Sequence, residues 1–295
     1  LGAEKKLKQL FPSNSEVNSF WTNYYYYSSF ALLCTTPEKQ PERYMCYREI
    51  KRIMDDAPQF IKELPAVYHL NYNNLVNVLL YLKKYKEAEE LIKEQNHFLE
   101  TYAIKKPAFE TTVFVNTYES KLFLYYKTGR TKEAVLLLKE IEGKVKKINP
   151  SFSPLLYDLI FFVAVSELMA DNNKDAIKWL NKIFAAENKI IIRKEMQINA
   201  RLLYLAALLQ SNDLLFENRL KATRRFIARE IQFTKQAKIL EALLLLEEFL
   251  STRENKTKLK KVIQEMKKEF KVTGEELLNK SFDFLEWMEG KMEKN

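Results

Sequence analysis

Helix-breaking residues are almost absent from the second half of the chain, and this restricts the folds open to it. Proline does not occur after Pro154, and residues 155–295 contain only two glycines, Gly274 and Gly290. Sheets joined by tight turns usually need more of both residues, because these supply the backbone angles of such turns. A long stretch without them favours helices joined by short polar turns. The sequence therefore predicts an all-α fold.

A short pattern recurs three times and places an alanine near the start of a helix. The segments YLKKYKEAEELI, YKTGRTKEAVLLL and MADNNKDAIKWLN align Ala88, Ala134 and Ala176, with spacings of 46 and 42 residues. An acidic residue precedes each alanine, and it favours the positive end of the helix dipole. An apolar residue follows four positions later on the same helix face. The pattern predicts a repeated unit of two antiparallel helices joined by a tight turn.

An apolar helix precedes each of these turns, so the chain can be divided into helix pairs. A period of about 40 residues with two helices in each repeat indicates an α-solenoid, in which stacked hairpins bury a continuous core. We predict one domain over residues 1–295, with about five to six helix pairs and a C-terminal capping helix. The predicted segments are a divergent first pair at 14–62, repeats at 66–103, 109–147, 152–186, 190–231 and 235–271, and a capping helix at 274–293.

Two stretches of the chain resemble the tetratricopeptide repeat, and the likeness extends over about two thirds of the sequence. The residues that carry it are Tyr72, Leu75, Leu79, Tyr85, Ala88 and Ile92, and then Tyr118, Tyr125, Gly129, Ala134 and Leu138. The spacing here exceeds the family's repeat of about 34 residues, and its terminal proline is missing. The chain as a whole is similar to divergent tetratricopeptide-like proteins of bacteria. This resemblance implies a right-handed α-solenoid.

The resemblance also implies a binding surface, since the first helix of each hairpin lines a concave groove in that family. Carried onto this chain, the groove positions are Asn73, Asn77, Asn116, Glu119, Phe123, Tyr126, Asp158, Phe161, Phe162 and Asn199. Asparagine offers both a donor and an acceptor to an extended backbone, and aromatic rings add apolar contact. The implied function is a non-enzymatic scaffold that binds a protein or peptide. Packing between helices is the alternative role for Phe123, Phe161 and Phe162.

Positive charge is concentrated in one sixth of the chain. The formal net charge is +9, and residues 221–271 contain fourteen Lys and Arg against seven Asp and Glu. Lys221, Arg225 and Arg229 recur every four residues and share one helix face, with Arg224 beside them. Such a face attracts nucleic acid or an acidic partner. A solvated helix face without a partner is the alternative interpretation.

The sequence offers little that points to catalysis or to a bound cofactor. Its two histidines, His69 and His97, have no carboxylate or cysteine at a metal-ligand spacing. Cys34 and Cys46 match neither a zinc motif nor a disulfide scaffold, so we expect them in or near the core. No glycine-rich phosphate loop is present. We therefore predict no catalytic residue, metal or cofactor, although an enzyme built from polar groups of distant helices stays open.

The segment FWTNYYYYSSF places four successive tyrosines, Tyr24 to Tyr27, on one helix, where they sweep about 300°. One hairpin cannot bury all four rings. Either some hydroxyls reach water, or the helix packs against a missing repeat or a second copy of the chain, which would mean self-association. The longest apolar run has eight residues (202–209), far short of the ~20 of a membrane span. We expect a cytoplasmic location, and the absence of a starting Met leaves open a leader or further repeats before Leu1.

Overall fold

The structure is a computed structural model, and it describes residues 19–148, 155–187, 191–229, 234–272 and 282–294. Regular secondary structure within these ranges is entirely helical, which confirms the all-α fold class. The chain divides into two compact units, Leu1–Leu124 and Tyr125–Asn295. Each unit is described by itself.

The N-terminal unit contains five helices and most of a sixth. These are α1 (Phe20–Leu33), α2 (Gln40–Asp55), α3 (Pro58–Glu63), α4 (Pro65–Tyr81), α5 (Tyr85–Thr101) and α6 (Pro107–Lys127), with a 3₁₀ turn at Pro37–Lys39. Proline opens α3, α4 and α6, where its missing N–H costs no helical hydrogen bond. Helix α1 packs against α2, α2 against α4, and α4 against α5.

The C-terminal unit contains the end of α6 and eight further helices in the described residues. These are α7 (Thr131–Val145), α8 (Leu156–Met169), α9 (Asn173–Ala186), α10 (Lys194–Gln210), α11 (Phe216–Ile227), α12 (Thr234–Thr252), α13 (Lys256–Val272) and α14 (Phe284–Lys294). Consecutive helices from α7 to α14 pack against each other, and α10 also contacts both α8 and α12. The predicted capping helix at 274–293 corresponds in part to α14, and its first residues, like 14–18 of the predicted first pair, lie outside the described residues.

The turns within four helix pairs share one hydrogen-bonding arrangement, which ends the first helix and starts the second. A residue with positive φ terminates the first helix, and the next N–H bonds back to a carbonyl five residues earlier. The positive-φ residues are Lys83, Gly129, Asp171 and Asn212. The bonds run from Lys84 N to Leu79 O (2.9 Å), Arg130 N to Tyr125 O (2.9 Å), Asn172 N to Glu167 O (2.9 Å) and Asp213 N to Leu208 O (3.0 Å). The chain thus reverses within three residues in the first three of these hairpins and within five in the fourth. The turn after α5 repeats the arrangement at Ala103, where Ile104 N bonds to Leu99 O (2.9 Å).

The recurrent alanines lie one helical turn after this bond. Ala88, Ala134 and Ala176 are buried and donate their N–H to Lys84, Arg130 and Asn172. Their small side chains permit close contact with the neighbouring helix. In the fourth hairpin Glu217 takes the alanine position and is exposed, and Phe216 is buried instead. The hairpins are therefore present locally, while their right-handed solenoid arrangement stays a prediction.

Helices α8 and α10 form the centre of the C-terminal unit. From Leu156 to Leu168 every side chain of α8 is buried except Asp158, which is half-buried. Residues 196–208 of α10 are buried in the same way, apart from Asn199 and Arg201. Both helices are apolar around their whole circumference, which is typical of interior helices. In the N-terminal unit Cys34 and Cys46 are buried, as predicted.

Candidate functional site on the first helices of the N-terminal unit

Five of the predicted groove residues lie on α4 and α6 within the N-terminal unit. Asn73 and Asn77 are half-buried on α4, and Asn116, Glu119 and Phe123 are half-buried on α6. We refer to these five side chains as the first-helix surface. It combines amide donors and acceptors with a carboxylate and an aromatic ring.

The spacing of α4 turns these side chains toward one side of the helix. Leu70, Asn73, Asn77 and Tyr81 recur at intervals of three or four residues and share a face; Leu70 is exposed and the other three are half-buried. The opposite side of α4 is anchored on α5, because the Tyr72 hydroxyl donates its proton to Glu94 Oε2 (2.7 Å) and lies 3.0 Å from Leu91 O. Desolvation and the neighbouring Glu94 raise the pKa of Tyr72, so it stays a donor.

A buried histidine connects α4 to α5 and α6. The Asn116 amide nitrogen lies 3.1 Å from His69 Nε2, and the Gln95 amide lies 3.5 Å from His69 Nδ1. Burial lowers the pKa of His69 to about 4, so the ring is neutral at pH 7. A neutral imidazole has one donor and one acceptor. Because Nε2 accepts from Asn116, Nδ1 carries the proton. The Gln95 nitrogen faces Nδ1 and its oxygen has no partner in the described residues, so a rotation of this amide by 180° supplies the acceptor that Nδ1 needs.

Asn73, one helical turn after His69, has a side-chain oxygen without a hydrogen-bond partner in the described ranges. Its side-chain oxygen is buried and has no donor within reach in the part of the chain that the structure describes. An unpaired buried acceptor costs about 1–3 kcal/mol. A donor supplied from outside would remove this cost only if the side chain first turned toward solvent, because the oxygen has almost no accessible surface.

The remaining groove candidates lie in the C-terminal unit. Phe161 is 0% exposed and Phe162 6% exposed, and the two rings meet edge to face at 6.2 Å between centroids. Both are core side chains of α8, which agrees with the alternative that these phenylalanines pack between helices. They are therefore not part of the proposed binding surface. Asn199 is half-buried. Asp158 pairs with Arg193 (2.8 Å), and burial outweighs this cation and raises the pKa of the carboxyl.

Tyr126, the last of the groove candidates, borders a cleft of about 400 Å³ that the sequence analysis missed. The Tyr126 hydroxyl accepts the Asp283 N–H at 3.1 Å. The other walls include Gln210 and Trp287, and Trp287 Nε1 donates to Gln210 Oε1 at 3.3 Å. Gln210 in turn donates to Asp171 Oδ1 at 2.6 Å. These polar groups bond to one another, and the charged residues Lys127, Glu286 and Lys291 complete the polar lining of the cleft.

The predicted basic face lies on α11 and just beyond it. Lys221, Arg224, Arg225 and Arg229 are all exposed, whereas Phe216, Thr223 and Ile227 are buried on the other side of the helix. Arg201 of α10 anchors α11 by lying 3.8 Å from the centroid of the Phe226 ring. Lys221 is within 3.9 Å of Glu217, an exposed pair of little energetic weight.

The described ranges contain no cluster of three or more His, Cys, Asp or Glu side chains that could hold a metal ion. None of the helices in these ranges has the length and apolar character needed to cross a membrane. His97 is exposed near Glu100. Comparison with known protein families, curated proteins and solved structures finds no match to this chain.

Proposed function

We propose that this protein is a non-enzymatic interaction scaffold that binds an extended protein segment on the first-helix surface. The observation that carries the proposal is the placement of Asn73, Asn77 and Asn116 at half-buried positions on two first helices joined through His69. Asparagine side chains can pair with both the N–H and the C=O of an extended backbone. Phe123 adds an apolar contact at the far end of the surface.

The energetics of this surface favour a bound backbone over bulk water. The Asn73 oxygen is buried without a partner among the described residues, so turning this half-buried side chain outward toward a peptide N–H exchanges an unpaired acceptor for a hydrogen bond. Asn116 is held in place by His69. A fixed side chain loses little rotamer entropy on binding.

The test is selection of binding peptides from a random extended-peptide library, followed by affinity measurement with variants. We expect Asn73→Ala with Asn77→Ala to weaken the selected peptides at least about 10-fold, which corresponds to 1.4 kcal/mol. Asn96→Ala is the matched control, because Asn96 is exposed on α5, a second helix. Equal affinities for all three proteins would place the peptide site elsewhere and contradict the proposal.

A second candidate function is binding of nucleic acid or another acidic partner through the basic face. The specific observation is that all four predicted cations on or beside α11 are exposed and lie on the side away from the core. Phosphate contacts of this kind release counterions, so binding weakens with salt.

The salt dependence of RNA or DNA binding tests this candidate. We expect the combined change of Arg224, Arg225 and Arg229 to alanine to reduce the slope of log affinity against log salt by about 3. The control removes equal charge from α13 by replacing Lys256, Lys258 and Lys260 with alanine. The slope of log affinity against log salt should be reduced less in this control than in the arginine variant. Absence of any binding at about 20 mM salt would exclude this function.

A further inference from the structure

The cleft beside Tyr126 lies where three helices of the C-terminal unit end. Its walls include Lys127 at the end of α6, Met169 at the end of α8 and Gln210 at the end of α10, and Trp287 of α14 lines it as well. The aligned peptide dipoles place roughly half a negative charge at each helix C-terminus. Three such ends around one cavity of about 400 Å³ favour a positively charged occupant.

The charged side chains around the cleft balance one another and leave this preference in place. Lys127 and Lys291 contribute two positive charges, and Asp171 and Glu286 contribute two negative charges. Lys291 Nζ lies 3.8 Å from Asp171 Oδ1, and Lys127 Nζ lies 5.0 Å from the centroid of the Tyr126 ring. Glu286 is exposed, so its carboxylate is open to a cation from solution.

The aromatic part of the wall also suits a cation. Trp287 is fixed in place, because its Nε1 donates to Gln210 Oε1 at 3.3 Å and Gln210 donates to Leu168 O at 3.2 Å. A positive group near an indole ring is attracted by the quadrupole of the ring. Lys291 Nζ lies 5.8 Å from the centroid of this ring, which is an example of the same attraction within the chain.

Gly290 keeps the cleft open from the side of α14. It lies in the interior of this helix and lines the cleft, and a Cβ atom added there would meet no described atom within 4 Å. Glycine is the least favourable residue in a helix interior after proline. Because no described neighbour requires a small residue at this position, the space left for a ligand is the physical reason for glycine here.

We propose that this cleft binds a small organic cation, with an ammonium or guanidinium group directed toward Glu286 and a short aliphatic stem against Trp287. Its volume of about 400 Å³ is within the range of ligand pockets. The cation can belong to a free small molecule or to an Arg or Lys side chain of another protein, since both present the same chemistry. The site lies within the C-terminal unit and is independent of the peptide binding proposed for α4 and α6.

The indole N–H resonance of Trp287 in the ¹⁵N-labelled full chain reports on this site directly. The chain has three tryptophans, and Trp287→Phe identifies the resonance. Butylguanidinium is the probe, and butylurea, which has nearly the same shape without the charge, is its matched control. We expect a saturable shift with a dissociation constant on the order of 1 mM for butylguanidinium, and binding of butylurea at least about 10-fold weaker.

Two variants test the assignment of the cleft. Gly290→Met fills the cavity with a flexible side chain and should weaken binding of butylguanidinium at least about 10-fold. Gly143→Met is its control, because Gly143 is a glycine of α7 with equally open space around its Cβ position. Glu286→Gln should weaken binding about 2- to 5-fold, whereas Glu293→Gln, exposed on the same helix, should leave it unchanged.

A titration with the blocked tripeptide acetyl-Gly-Arg-Gly-amide distinguishes the two sources of the cation. Tighter binding than that of butylguanidinium assigns the cleft to an arginine side chain of a partner protein, and equal or weaker binding assigns it to a free small molecule. Three results would overturn the proposal: no shift of the Trp287 resonance up to about 20 mM butylguanidinium, equal responses to butylguanidinium and butylurea, or unchanged binding in Gly290→Met.

Discussion

Replacing Phe161 by alanine is expected to lower the free energy of unfolding by about 4 kcal/mol, the loss typical of a fully buried aromatic ring. The ring is completely enclosed in α8, between helices of the C-terminal unit. Its removal leaves a cavity that surrounding side chains fill only in part. Denaturant titration of the full chain, followed by circular dichroism, measures the effect.

Phe123→Ala is the comparison for this experiment, because Phe123 is another predicted groove aromatic but is half-buried on α6. We expect Phe123→Ala to lower the free energy of unfolding by only about 1–2 kcal/mol. Its larger effect should be weaker peptide binding. If Phe161→Ala left stability almost unchanged but abolished peptide binding, the assignment of Phe161 to the core would be wrong.

The stability of the protein is expected to fall as the pH is lowered from about 6.5 to about 4 because of His69. Burial lowers the pKa of this ring from 6.5 to about 4 in the folded chain. Between these values the unfolded chain binds a proton at His69 that the folded chain does not, so acid favours unfolding. Above pH 6.5 the ring is neutral in both states and contributes no slope. One pKa unit corresponds to about 1.36 kcal/mol, so the total loss is about 3 kcal/mol.

The two histidines provide their own control for this effect. His69 contacts Asn116, Gln95 and the rings of Phe98 and Phe109, whereas His97 is exposed. The difference in unfolding free energy between the original chain and His69→Gln should change between about pH 6.5 and pH 4, with the original chain losing stability in acid. Contributions from the carboxylates are common to both proteins and cancel in this difference. His97→Gln removes the exposed imidazole and is the matched control variant. An imidazole proton resonance of His69 that titrates near pH 6.5 would refute the prediction.

Local features of the fold could be predicted because the chemistry of the hairpin turns is local. The motifs around Ala88, Ala134 and Ala176 contain both the residues that end one helix and the acid that starts the next. The left-handed backbone at Lys83 and Asp171 was less predictable, because neither residue favours positive φ as glycine does at Gly129. At these two positions the back-bond of the turn stabilises the conformation.

Features that depend on tertiary packing could not be predicted in the same way. Helix α8 is apolar on every side, which is itself the sign of an interior helix, and the groove positions carried over from the resemblance pointed Phe161 and Phe162 the other way. The cleft beside Tyr126 brings together Asp171, Gln210 and Trp287, which are distant in sequence. The sequence contained a partial indication of this cleft, because Asp171 lies in a helix turn and Gln210 lies directly before one. The position of α14, which contributes Trp287, follows only from the tertiary structure.

The most direct test of the central claim is amide hydrogen exchange of the full chain with and without a selected peptide. We expect slower exchange on binding in α4 and α6 of the N-terminal unit, centred on Asn73, Asn77 and Asn116, with α8 unchanged. Protection confined to other helices, with α4 and α6 exchanging as in the free protein, would contradict the account.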